Sequence, residues 1–178
     1  MITLMSVNAW ELYLHEGEPE HEQRYNALAE LVDSYEPDIL VTQEIMAPGR
    51  TCADKTPSAQ ARLRRWANAT GAMRYDADGE PLLVVGGSWH HLAITYRDTC
   101  RHDPRGTIRP IPGTVRRLDR DSAGMWHGAV MVDFDIGGHL LRVGTTHLNP
   151  RDQDWCRHEA RYVVDEMQHD GVPRAHRR

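Results

Sequence analysis

"PDILVTQEI", residues 37–45, starts at a Pro-Asp turn, runs through Ile39, Leu40 and Val41, and then meets Thr42, Gln43 and Glu44 before the apolar Ile45. A short apolar run behind a turn reads as a buried strand. Its far end carries a carboxylate between apolar neighbours. Burying a charge is costly unless it is paired or bound to a metal. What occupies the tip of this strand is therefore the first question the chain raises.

The flanking sequence supplies a context. "HEQRYNALAELVDSYEP" (21–37) has Tyr25, Leu28, Val32 and Tyr35 at helical spacing with charges between them, so it predicts an amphipathic helix stopped by Pro37. Before it, "ITLMSVNAW" (2–10) is a β-rich run that ends in Asn8. Strand, helix and strand make a βαβ-like opening. Residues 46–57 read as a loop, and "SAQARLRRWANATG" (58–71) as a second helix with Ser58 as N-cap, Gly71 just past its end and Leu63, Trp66 and Ala67 inward. From Leu82 the pattern turns to strands: "LLVV", "HHLAITY" and "GAVMVDFDIGGHLLRVGTTHL", the last a hairpin turning at Ile136-Gly137-Gly138. "NPRDQDWCRHEARYVVDEMQHDG" (149–171) predicts a third helix, capped by Asn149, with Trp155, Tyr162, Val163 and Met167 facing the core.

Composition narrows the function. The 178 residues suit one domain, read as residues 1–170 with a tail at 171–178. No run approaches the roughly 20 apolar residues of a membrane span. The N-terminus shows no secretory leader pattern, so a cytoplasmic protein is expected. Cys52, Cys100 and Cys156 lie far apart without a C-x-x-C, which argues against disulfide frameworks and zinc knuckles. The net charge of -5 argues against a dedicated nucleic-acid binder, without excluding a nuclease. Residues 97–120 read as a long loop in which seven arginines face three aspartates, a solvated segment or a groove for a polyanion. His90-His91 and the Cys100/His102 pair lack zinc-ligand spacing and read as structural. Trp126-His127, at the start of a strand near the substrate edge, reads as packing rather than contact with substrate.

Three predicted strands end in polar groups: Asn8, Glu44 and His147. Strand tips at one sheet edge can assemble residues distant in sequence into one site. Glu44 is an oxygen ligand of the kind Mg²⁺ or Mn²⁺ takes. Asn8 can orient that carboxylate or a phosphate oxygen, and His147 can donate to a phosphate or move a proton. Each taken alone is more readily a strand-ending or structural residue than a functional one.

Together and in this order, "LMSVNAW", "EPDILVTQEI" and "RVGTTHL" resemble the endonuclease/exonuclease/phosphatase superfamily, the DNase I-like group. The resemblance implies an α/β fold, a four-layer α/β/β/α sandwich with its site at one edge. It implies a Mg²⁺- or Mn²⁺-dependent phosphoesterase in which Glu44 is the principal metal ligand, Asn8 lies beside it as a second metal-site residue, and His147 contacts the scissile phosphate. The substrate would be a phosphoester, nucleic acid among the options; oligomeric state is left open.

Members of that group also carry an Asp-x-Asn motif and a closing Ser-Asp-His after the T-H-L strand. The 178 residues contain neither, and "VDFDIGG" (132–138) precedes His147 in a hairpin. The chain is therefore expected to lack the C-terminal half of the domain. His176 stands in "RAHRR" without an Asp beside it, after a "HDGVP" lead-in, which suggests a frameshift or premature stop. The downstream DNA, read in three frames, tests this. The competing reading is a non-catalytic remnant or interaction module that keeps the half-fold.

Overall fold

The computed structural model describes residues 1–168 except 14, 86–89 and 120–122. Strand β1 (Leu4–Leu12), helix α1 (Pro19–Tyr35) and strand β2 (Ile39–Met46) form the opening unit, with β1 and β2 parallel. Helix α2 (Cys52–Ala69) follows, and then the short strands β3 (Asp76–Ala77), β4 (Glu80–Pro81) and β5 (Leu83–Val84). Strand β6 (His90–Tyr96) pairs antiparallel with both β2 and β5, giving a first sheet in the order β1-β2-β6-β5. Strands β7 (Thr99–Cys100), β8 (Asp103–Pro110), β9 (Arg116–Leu118), β10 (Ala129–Ile136) and β11 (His139–Thr146) build the second, in the order β11-β10-β8-β7 with β9 on β10. Helix α3 (Gln153–Gln168) ends the described chain.

Side-chain alternation stacks these elements in four layers. Leu40 packs with Tyr25, Ala29 and Val32 of α1 and with Leu63, Trp66 and Ala67 of α2 on one face of the first sheet. Its neighbours Ile39 and Val41 point the other way, against Ile108, Val130, Val132 and Phe134 of the second sheet. Beyond that sheet, Ala129 and Met131 meet Tyr162, Val163 and Met167 of α3. The order is helices, sheet, sheet, helix, as the resemblance implies.

Several boundaries differ from the sequence reading. α1 begins earlier, with Pro19 in its first turn, and ends at Tyr35, which is exposed rather than inward; Glu36 takes a left-handed cap before Pro37. α2 begins at Cys52, inside the expected loop. Thr51 caps it, with a reciprocal pair of bonds between Thr51 and Asp54, and Pro57 lies within the helix. Ser58 is thus mid-helix, whereas Gly71 does follow the helix end, at φ +94°.

The expected loop at 97–120 is largely strand. Arg97, Arg101 and Arg117 bond to backbone carbonyls or to carboxylates: Arg97 to Pro37 and Gly71, Arg101 to Glu36, Arg117 to Leu83 and Pro81. Arg117 thereby ties the second sheet to the first, while Arg97 and Arg101, bonded in this way, also line a cavity of about 380 Å³ with Arg74. The hairpin turns at Gly137 and Gly138, both at positive φ, as its two-residue turn requires. Asp133 lies directly opposite Arg142 and accepts two bonds from it at 2.6 and 2.8 Å, so "VDFDIGG" carries a structural ion pair. α3 starts four residues after Asn149; the Asp152 carboxylate takes the cap bonds, from the amides of Asp154 and Trp155. The third helix beyond Gln168, the boundary at 170 and the tail with His176 lie outside the described residues.

Candidate functional site

Glu44 explains its own position through the backbone. At the residues before it, odd positions face the second sheet and even positions the helices. Ile45 nonetheless packs on the helix side with Leu40. The parity switches because β2 slips register against both neighbours at this point, between Gln43 and Ile45 on β6 and between Asn8 and Leu12 on β1. Glu44 is the extra residue of the bulge, at φ +65°. A bulge re-aims a side chain at a sheet edge, so the carboxylate leaves both ladders while Ile45 returns to the core.

The carboxylate is held from two directions. The Asn8 side chain donates from Nδ2 to Glu44 Oε1 at 2.9 Å, and the Glu11 amide donates to Oε2 at 2.9 Å. The Asn8 oxygen is in turn engaged by the Trp10 amide at 2.9 Å, so Asn8 turns its nitrogen toward Glu44. Trp10, Glu11 and Tyr13 all have positive φ. Arg24 steadies this end of β1 by donating to the carbonyls of Ala9 and Trp10 at 3.1 and 2.7 Å.

His147 arrives from the other sheet. Gln43 Nε2 donates to Thr145 Oγ1 at 2.9 Å, bridging β2 and β11 and fixing the Gln-Glu tip against the Thr-Thr-His tip. The bridge leaves His147 Nε2 at 3.9 Å from Glu44 Oε1, beyond direct hydrogen-bond length. His147 Nδ1 is buried with no hydrogen-bond partner among the described residues. The structure therefore brings Asn8, Glu44 and His147 to one edge.

It also brings residues that the sequence reading set aside as structural. His90 Nε2 lies 4.0 Å from Glu44 Oε2 and 3.9 Å from Glu11 Oε1. His127 stacks on His147 with ring centroids 4.4 Å apart. Glu159 of α3, fully buried, accepts from the amides of Trp126 and Asn149 at 2.5 and 2.7 Å and pins the two loops that carry these imidazoles. Burial lowers the His147 pKa, opposed by the Glu44 charge, with the neighbouring His90 lowering it further. Burial lowers that of His127 to about 3, helped by His147 and His90. Both rings are neutral at pH 7, so each offers one donor and one acceptor nitrogen.

The donor set suits a hard divalent cation in part. Glu44 supplies carboxylate oxygens, each facing one donor and retaining further lone pairs, and Glu11 supplies a second carboxylate within 3.9 Å of the same imidazole. Asn8, as oriented, positions Glu44 rather than presenting its oxygen.

No family model and no curated protein matches the chain. Solved structures do. An endonuclease/exonuclease/phosphatase family protein from Bacteroides thetaiotaomicron superposes with TM-score 0.62 at 18% identity, over 98% of this chain and 60% of its own. A humanized D. rerio TDP2 carrying 14 mutations gives 0.62 at 13% identity, over 95% and 57%. D. rerio TDP2 complexed with a single-strand DNA product gives 0.60 at 14%, over 95% and 55%. The chain thus spans less than two thirds of the length of these structures. Over that span it has the DNase I-like α/β/β/α fold of the endonuclease/exonuclease/phosphatase proteins.

Proposed function

We propose that the site is that of a Mg²⁺- or Mn²⁺-dependent phosphoesterase, with Glu44 holding the cation. The observation that carries the proposal is the bulge at Glu44, which sets one carboxylate at the edge where Asn8 and His147 also arrive. A bound divalent cation would offset charge on the phosphoryl and leaving oxygens while water attacks phosphorus. Asn8 and the Glu11 amide orient the carboxylate. Neutral His147 donates to a phosphate oxygen or relays a proton near neutral pH. Gln43 keeps the two strand tips in register. The substrate class is a phosphoester; the DNA product bound to D. rerio TDP2 favours testing nucleic acid first.

The 178 residues lack the Asp-x-Asn and Ser-Asp-His motifs, and the chain spans 55–60% of the three structures above. These facts support a second reading, a chain impaired in turnover that keeps the half-fold as a binding or interaction module.

Hydrolysis of bis(4-nitrophenyl) phosphate and of single-stranded DNA, with Mg²⁺, Mn²⁺ or chelator, separates the two. The enzyme reading expects metal-dependent turnover that Glu44→Gln and His147→Ala each lower by at least about 100-fold. Equal background in all three proteins supports the module.

A further inference from the structure

A second cluster lies outside that site. His15, Glu18 and His21 follow an H-x-x-E-x-x-H spacing, and one ligand atom from each lies within 4.8 Å of the others. The backbone builds this convergence. Gly17 at φ +93° turns the chain, the Glu18 amide bonds back to the His15 carbonyl at 3.1 Å, and the first turn of α1 presents His21. The His15 and His21 rings meet with centroids 4.5 Å apart, and His15 Nδ1 lies 3.2 Å from Glu18 Oε1.

Two features point to a ligand. His21 Nδ1 is shielded from solvent and has no hydrogen-bond partner among the described residues, a cost that a buried polar nitrogen normally avoids. Both imidazoles also line a cavity of about 270 Å³ with Trp10, Glu11, Glu20 and Arg24. The helix N-terminus and the Arg24 guanidinium oppose a cation here, and the Glu11 and Glu20 carboxylates in the same cavity offset them.

We infer that His15, Glu18 and His21 form a binding site for a borderline transition metal of the Zn²⁺ class, separate from the oxygen-ligand site at Glu44. Two imidazoles and one carboxylate are the donor set that Zn²⁺ takes with its fourth position open, and nitrogen donors disfavour Mg²⁺. Glu11, which donates its amide to Glu44, lines the same cavity. The inference does not depend on phosphoesterase activity.

The test is Zn²⁺ titration against a chromophoric chelator, with Co²⁺ absorption as a second readout. Glu44→Gln combined with His90→Ala and His147→Ala serves as background, which removes the carboxylate and the imidazoles nearest it from the first site. One equivalent should bind. Outer-shell partners alone are worth about 10–100-fold in metal affinity, so adding His15→Ala or His21→Ala should weaken binding by at least about 100-fold and abolish the Co²⁺ band. No stoichiometric binding, or unchanged affinity in His15→Ala, overturns the inference. His15 is exposed, so its variant keeps the test decisive even if His21→Ala fails to fold.

Discussion

Glu44 occupies a backbone conformation that costs a non-glycine residue roughly 1–2 kcal/mol, and strain of this kind gathers at functional sites. Here it does two things at once: the carboxylate leaves the ladders and Ile45 regains the core. Gln43 shows how neighbours use that geometry. Gln43→Leu cuts the bond to Thr145, and with it the alignment of Glu44 and His147. Stability should fall by only about 1 kcal/mol, while kcat should fall about tenfold to a hundredfold with KM little changed. Steady-state kinetics beside urea unfolding check this; a proportionate loss of both would make Gln43 merely structural. Asn8, Glu44 and His147 stood out because each is a polar residue after an apolar run, although β1 and β2 continue past Asn8 and Glu44 to Leu12 and Met46. His90, His127 and Glu11 did not, because their nearness comes from strand order and loop path rather than from any spacing along the chain. The metal role expected for Asn8 is refined by its orientation, which needed the Trp10 amide to be seen.

At the scale of elements, the hairpin at Gly137-Gly138 and the two helices of the opening half followed from period and turn chemistry. The start of α2 did not, because Pro57 masks a helix whose Thr51-x-x-Asp54 capping box was present in the sequence. β7 was missed because it is two residues long, and β9 because Arg116 and Arg117 break the apolar alternation and bond inward instead. α3 owes its seat to one buried carboxylate as much as to its apolar face. Glu159→Ala leaves the Trp126 and Asn149 amides without their acceptor and should cost about 3 kcal/mol. Glu159→Gln, with one carbonyl oxygen left, should cost about half as much. Urea midpoints measure both, and equal stability of all three proteins contradicts this role.

Across the whole molecule, four layers close around two sheets, and neutral histidines are part of that interior. Burial, aided by Lys55, lowers the His91 pKa to about 4, and burial lowers that of His127 to about 3. Both titrate near 6.5 once unfolded. Below pH 6.5 the unfolded chain therefore takes up protons that the folded state refuses. Stability from these groups is full above pH 6.5 and falls as pH drops toward 4, by about 1.4 kcal/mol per pH unit for each proton. Between pH 6.5 and 5 carboxylates contribute little, so the urea midpoint should fall there; a flat midpoint would place charged rings in the folded state. The most direct test of the central claim, that the bulge at Glu44 carries a divalent cation, is calorimetric titration of Mg²⁺ into the wild-type chain and Glu44→Gln. One Mg²⁺ bound by the first and none by the second is the predicted result. Binding of equal strength to both would contradict it.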